Sequence, residues 1–90
     1  MTRRWHPPPA PPNPPAVVIS ERQADVLAGI TVGLTNWQIS RRLHVTEDTV
    51  KCHVRAVLAA LHARNRAHAA VLACTGAVDI HVHDNERGAA

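Results

Sequence analysis

The chain has no Phe and no Tyr, and its only Trp residues are Trp5 and Trp37. A core must therefore be assembled from Ala, Val, Leu and Ile, without the large area that aromatic rings bury. Cysteine is almost as scarce: Cys52 and Cys74 stand 22 residues apart. There is no C-x-x-C pair and no disulfide-dense framework, which argues for a reducing cytoplasm. No apolar run reaches the roughly 18 residues needed to span a membrane. Arg3-Arg4 is followed by proline where a signal peptide needs an apolar stretch. The expectation is a cytoplasmic protein with no membrane association. Proline is absent after Pro15, all seven prolines lying between Pro7 and Pro15. Removing that segment from 90 residues leaves room for one small domain. A deep catalytic cleft is hard to enclose there, because ligand pockets occupy about 300 Å³ or more. Cores this small are only marginally stabilising, so help from a partner chain is expected.

The formal net charge is +3, and its distribution is uneven. Residues 1–18 carry Arg3 and Arg4. Residues 19–75 carry Arg22, Arg41, Arg42, Lys51, Arg55, Arg64 and Arg66 against Glu21, Asp25, Glu47 and Asp48. Residues 76–90 carry Arg87 against Asp79, Asp84 and Glu86. A basic middle with an acidic end suits a polyanionic partner such as nucleic acid.

Residues Trp5 to Ala16 read W-H-P-P-P-A-P-P-N-P-P-A. Proline lacks an amide donor and fixes φ, so this stretch favours extended polyproline II without a packed core. It reads as a semi-rigid spacer in preference to a ligand for a proline-recognising domain. The folded part is expected from about Val17. Ser20-x-x-Gln23 fits a capping box that opens a first helix, with Ile19 placed to staple onto Ala24 or Leu27. Val26, Leu27, Ile30 and Leu34 recur at helical spacing, and Gly33 is the natural stop. A second, short helix opens at Thr35 or Asn36, with Thr35-x-x-Gln38 as a further capping-box candidate and Ile39 and Leu43 facing inward. His44-Val45 makes the next turn, with Val45 plugging the core. Thr46 then caps a third helix, roughly Glu47 to His62, whose first turn holds Glu47 and Asp48 where the macrodipole favours carboxylates.

On that third helix Val50, Val54, Val57, Leu58 and Leu61 form one apolar stripe. The opposite face is Asp48, Lys51, Cys52, Arg55, Ala59 and His62. Lys51 and Arg55, four apart, project from the same side. A fourth helix is expected from Arg66 to Cys74, capped by Asn65. Its small residues permit another helix to approach closely, and Gly76 ends it. V-D-I-H-V at Val78 to Val82 alternates as a short strand or an extended tail. Disorder is expected from His83 onward.

Three short helices, a tight turn between the second and third, and a basic outer face on the third make a DNA-reading unit. Helix starts and Lys/Arg side chains hold phosphates, and a helix fits the major groove. Lys51 and Arg55 have the reach and donors for guanine or phosphate; taken alone, they read equally well as a solvated face.

Several segments together resemble a known family. They are I-S-x-R-x-x-D-V-L from Ile19, G-L-T-N-x-x-I-S-x-x-L-x-V-T from Gly33, T-V-K-x-H-V-x-x-x-L-x-x-L from Thr49 and R-A-x-A from Arg66. This pattern is similar to the LuxR-type (GerE-like) helix-turn-helix domain and covers essentially the whole folded part. The resemblance implies an all-α, four-helix domain, to which the sequence itself adds a Pro-rich N-terminal arm and a short C-terminal tail. Its boundaries would be an arm at 1–17, the domain at 18–76 and a flexible tail at 77–90. It implies that Lys51, Cys52 and Arg55 face bases or nearby phosphates. Thr35, Asn36, Thr46 and Thr49 would sit at backbone-contacting helix starts. Val50, His53 and Val54 would pack or orient the third helix. The fourth helix would pair two copies, through Ala67, Ala70, Val71 and Cys74. Double-stranded DNA, a second copy of the chain, and RNA polymerase or a larger LuxR-type regulator are the partners so implied, in a bacterial or phage transcription regulator.

Three positions depart from the family pattern. Gln23 stands where Glu is usual, Trp37 where a polar residue is usual, and His44 where Gly or a similar turn residue is common. Trp37 is expected to pack on the N-terminal segment or on a partner, and His44 to strain its turn slightly. Only the Pro-rich segment precedes the domain, so control in cis by a receiver or ligand-binding domain is not expected. The rival class is a protein-interaction module that dimerises with a larger LuxR-type regulator without reading DNA itself.

No nucleophile, base and orienting group share a recognisable spacing, and there is no Gly-rich phosphate loop. Neither enzymatic activity nor a cofactor is expected. His81-x-His83-Asp84, with Cys74, offers metal-ligating atoms, yet its spacing matches no common zinc pattern. An exposed polar tail is the simpler reading, and no metal site is assigned. A redox role for Cys52 is the minor reading beside an inert thiol.

Overall fold

A computed structural model describes residues 2–83. The order of elements is β1 (Ala16–Ser20), α1 (Glu21–Thr31), α2 (Asn36–Leu43), α3 (Glu47–Leu61), α4 (Arg66–Thr75) and β2 (Asp79–His83). Four helices carry the fold, and a small sheet joins its two ends. The all-α expectation is corrected by that sheet. β1 and β2 pair in parallel, with Ala16 opposite Asp79, Ile19 opposite Val82 and Ser20 opposite His83. The Pro15 carbonyl accepts from the Asp79 amide at 2.8 Å, which extends the ladder by one bond. The strands thus take up Ala16 and Val17, which were assigned to the arm, and residues 79–83 of the tail. His83 is the last residue of β2; residues 84–90, where disorder was expected, lie outside the described residues.

Each helix begins where a short polar side chain can satisfy a free amide. Ser20 Oγ accepts from the Gln23 amide at 3.1 Å, and Gln23 Oε1 accepts from the Ser20 amide at 2.9 Å. Thr35 and Gln38 repeat the reciprocal pair at 3.1 and 2.8 Å. Thr46 Oγ1 caps the Thr49 amide, and Asn65 Oδ1 caps that of His68. Such a cap contributes about 1 kcal/mol, which matters for helices of 8 to 15 residues.

The ends of α1, α2 and α3 follow one scheme. After α1, Gly33 adopts φ 84°, and the Leu34 amide donates back to the Gly29 carbonyl at 3.0 Å. His44 (φ 59°) and His62 (φ 55°) occupy the same left-handed position after α2 and α3. There the Val45 and Ala63 amides donate to the Ser40 and Leu58 carbonyls at 3.1 and 2.9 Å. These are Schellman closures, and each turns the following apolar residue back onto the core.

Two buried clusters make up the core. Ile19, Leu27, Val57, Leu61 and Ala69 form one, with Val17, Leu72 and Ile80 packed against it. Val26, Ile30, Ile39, Val50 and Val54 form the other, with Leu34, Leu43, Val45 and Ala70 around them. Ile19 and Ala24 accordingly meet Leu27 in the first cluster. α1 and α3 both contribute buried residues to the two clusters, and α3 packs against each of the other three helices. Its buried Val and Leu residues are each worth about 1.5–3 kcal/mol on full burial. Position and tilt of α3 are therefore fixed by its inner stripe, leaving the outer stripe free for other work.

Candidate nucleic-acid interface

Rotation of α3 by its inner stripe turns Asp48, Lys51, Cys52, Arg55, Ala59 and His62 outward, and all six are exposed. His53 is half-buried and Val50 and Val54 are buried, on the packed side. At the start of the helix the Thr46 and Thr49 hydroxyls lie 2.8 Å apart while Thr46 also caps the Thr49 amide. Both threonines are thus committed locally, each with a hydroxyl near the helix start.

The preceding helix adds charge that the sequence reading left without a role. Arg41 and Arg42 are exposed on α2. Arg41 Cζ lies 5.8 Å from the centroid of the Trp37 ring, a cation–π arrangement. Trp37 itself is 59% exposed; its ring faces this arginine and solvent. A hollow of about 340 Å³ between α2 and α3 is lined by Ser40, Arg41, His44, Val45 and Thr46. Arg41, the turn residue His44 and the cap of α3 therefore border one open space. Beneath it, Ser40 is buried and donates its hydroxyl to the Trp37 carbonyl at 2.7 Å.

Asn36 has a partner in α4. Arg66 Nη1 donates to Asn36 Oδ1 at 2.7 Å, and Nη2 donates to the Leu34 carbonyl at 2.9 Å. This fork ties the start of α4 to the start of α2. The sequence offered only a faint signal for it, an arginine directly after the cap residue Asn65. Thr35, by contrast, is exposed and spends its hydroxyl oxygen on the Gln38 amide.

Along α4, Ala67, Val71 and Cys74 are exposed, while Ala70 is half-buried against the second core cluster. Both cysteines are free and exposed. In β2, His81 Nε2 lies 3.0 Å from Asp79 Oδ2, an exposed pair. Among the described residues no three His, Cys, Asp or Glu side chains are grouped to hold a metal ion. Asp84 lies outside the described residues. Nor is any described helix long and apolar enough to cross a membrane.

Residues 17–73 match the family described as bacterial regulatory proteins, luxR family. The chain belongs to that family. Its domain is a LuxR-type helix-turn-helix of a kind found in DNA-binding transcription regulators. Similar proteins include the nitrate/nitrite response regulator protein NarP of Escherichia coli (strain K12), 43% identical over 58 residues. That stretch is 64% of this chain and 27% of NarP. The transcriptional regulatory protein LnrK of Bacillus subtilis (strain 168) is 42% identical over 53 residues, 59% of this chain and 24% of LnrK. The two-component response regulator PprB of Pseudomonas aeruginosa is 42% identical over 62 residues, 69% of this chain and 22% of PprB. The chain thus spans about a quarter of the length of these relatives.

Proposed function

We propose that this LuxR-type domain binds double-stranded DNA sequence-specifically, as a pair of copies, and regulates transcription in a bacterial cytoplasm. α3 is the recognition helix. Lys51 and Arg55 reach guanine edges or flanking phosphates, and Cys52 between them offers an apolar contact. Thr35, Asn36, Thr46 and Thr49 approach the sugar-phosphate backbone. Pairing runs through the α4 face of Ala67, Val71 and Cys74, with Ala70 at its inner margin. Two copies then meet half-sites about one helical turn apart on a two-fold-related site. RNA polymerase or a larger regulator of the same family is the further partner of such an assembly.

The observation that carries this reading is the outward stripe of α3. Lys51, Cys52 and Arg55 are exposed together on a helix whose other side is anchored in both core clusters. The test is selection from a randomised duplex pool at moderate salt, run beside the Lys51→Ala/Arg55→Ala double variant. The expected result is a two-fold-symmetric motif that the folded double variant fails to recover. Recovery of no motif by a folded wild-type chain would sink the reading and favour a module that pairs with a larger regulator without touching DNA.

A further inference from the structure

Arg66 stands at the first position of α4 and spans to the first position of α2. Its guanidinium carries donors only, so the atom of Asn36 that it holds at 2.7 Å is the carbonyl oxygen. That bond decides which end of the carboxamide points inward. Its second bond, to the Leu34 carbonyl at 2.9 Å, fixes the plane of the fork. Asn36 Nδ2 has no partner among the described residues. Among those residues no side-chain nitrogen or oxygen is both buried and unpartnered. Asn36 Nδ2 therefore opens to solvent, although the residue as a whole is half-buried. It does so in the first turn of α2, where backbone amides also lack helical partners. Accepting from a cation at its oxygen makes the carboxamide a stronger donor at its nitrogen.

We propose that Arg66 is a positioning residue for DNA binding: it turns Asn36 so that Nδ2 donates to a phosphate oxygen of the duplex. This rests on the DNA-binding reading above. A phosphate oxygen is an acceptor, so only the nitrogen end of the carboxamide suits it. Without Arg66 the carboxamide is free to rotate and offers either end. Arg66 acts through Asn36 and makes no phosphate contact of its own.

The experiment measures affinity of the full chain for its selected duplex by fluorescence anisotropy over a series of salt concentrations. The variants are Asn36→Ala, Arg66→Met, their combination, and Arg66→Lys, with Lys51→Ala/Arg55→Ala as the control on the underlying reading. Circular dichroism sets a temperature at which each variant is folded. Asn36→Ala is expected to weaken binding about tenfold, the scale of one hydrogen bond to a charged group. Arg66→Met should weaken it by a similar factor, and the combination by no more than about twice that. The salt slope of Arg66→Met should match wild type, since a neutral amide releases no counterion, whereas loss of a direct phosphate contact lowers it by about 0.9. If Arg66→Met does not fold, Arg66→Lys replaces it, with weakened binding and an unchanged slope expected. Losses that multiply to about a hundredfold in the combination would overturn the proposal. A slope lowered by about 0.9 would do the same, as would unchanged affinity in Asn36→Ala while the control loses binding. A control that binds like wild type removes the α3 reading on which the proposal rests, and overturns the proposal with it.

Discussion

Ile39 fills the space that a side chain at Gly29 would need. A Cβ built on Gly29 would lie 2.8 Å from Ile39 Cγ1 and 3.0 Å from its Cδ1. Gly29 is buried in α1, and Ile39 is 1% exposed at the centre of the second cluster. The glycine therefore sets how closely α2 approaches α1. Gly29→Ala gains about 1 kcal/mol of helix propensity but forces the buried Ile39 side chain to shift, overpacking that costs about 1–3 kcal/mol. The expected outcome is a net loss of stability of about 1 kcal/mol in urea unfolding, with an unchanged m-value. A more stable Gly29→Ala variant would show that Ile39 has room to move.

His44 and His62 sit at φ 59° and 55°, where L-residues are disfavoured and glycine is not. Neither imidazole makes a hydrogen bond that would offset this among the described residues. His62→Gly and His44→Gly should each raise stability by about 0.5–1 kcal/mol. His44→Val should lower it, since β-branched residues tolerate this region poorly. Thermal unfolding of the three variants checks the order. Equal melting temperatures would mean that these turns relax out of the left-handed region.

The two ends of the chain should behave in opposite ways when removed. Val78 is 8% exposed, Ile80 packs against the first cluster, and β2 pairs along all of β1. Ending the chain after Gly76 should cost about 2–4 kcal/mol, from lost burial of these two side chains and an unpaired β1. Residues 2–13 are exposed throughout. Their deletion should change stability by less than about 0.5 kcal/mol. Urea unfolding of the two truncations beside the full chain measures both. Equal effects would show that the sheet is not part of the cooperative unit.

What could be read in the sequence divides by the range of the interaction. Ser20, Thr35, Thr46 and Asn65 announce their helices because a cap is a matter of three residues, and each is observed as the cap. The inner and outer stripes of α3 follow from helical period alone. The parallel pairing of Ala16–Ser20 with Asp79–His83 joins residues more than sixty apart. V-D-I-H-V shows strand alternation, but nothing local names its partner, and the run before Ser20 reads only as a lead into a helix. The Arg66–Asn36 bond is hidden for the same reason, spanning 30 residues. Gly29 does carry a local signal, since an isolated glycine inside a helix is itself a sign of close approach, but its partner Ile39 is not named by it. At the candidate interface Lys51, Cys52 and Arg55 came from the α3 pattern, whereas Arg41 needed the turn geometry that places it beside Thr46.

Lys51 and Arg55 share an exposed face of α3 but can serve different ends. Lysine offers a compact point charge, and arginine a planar fork that matches two acceptors of guanine. Lys51→Ala is therefore expected to weaken binding to all duplexes alike and to reduce the salt slope by about 0.9. Arg55→Ala should cost about 1–3 kcal/mol on the selected site and much less on duplexes altered at one base pair, so preference at that pair is lost. Titrations of both variants against the selected site and its single-base-pair changes, at several salt concentrations, separate the two roles. The same slope change in both, with base preference intact, would place Arg55 on the backbone and move base reading elsewhere on α3.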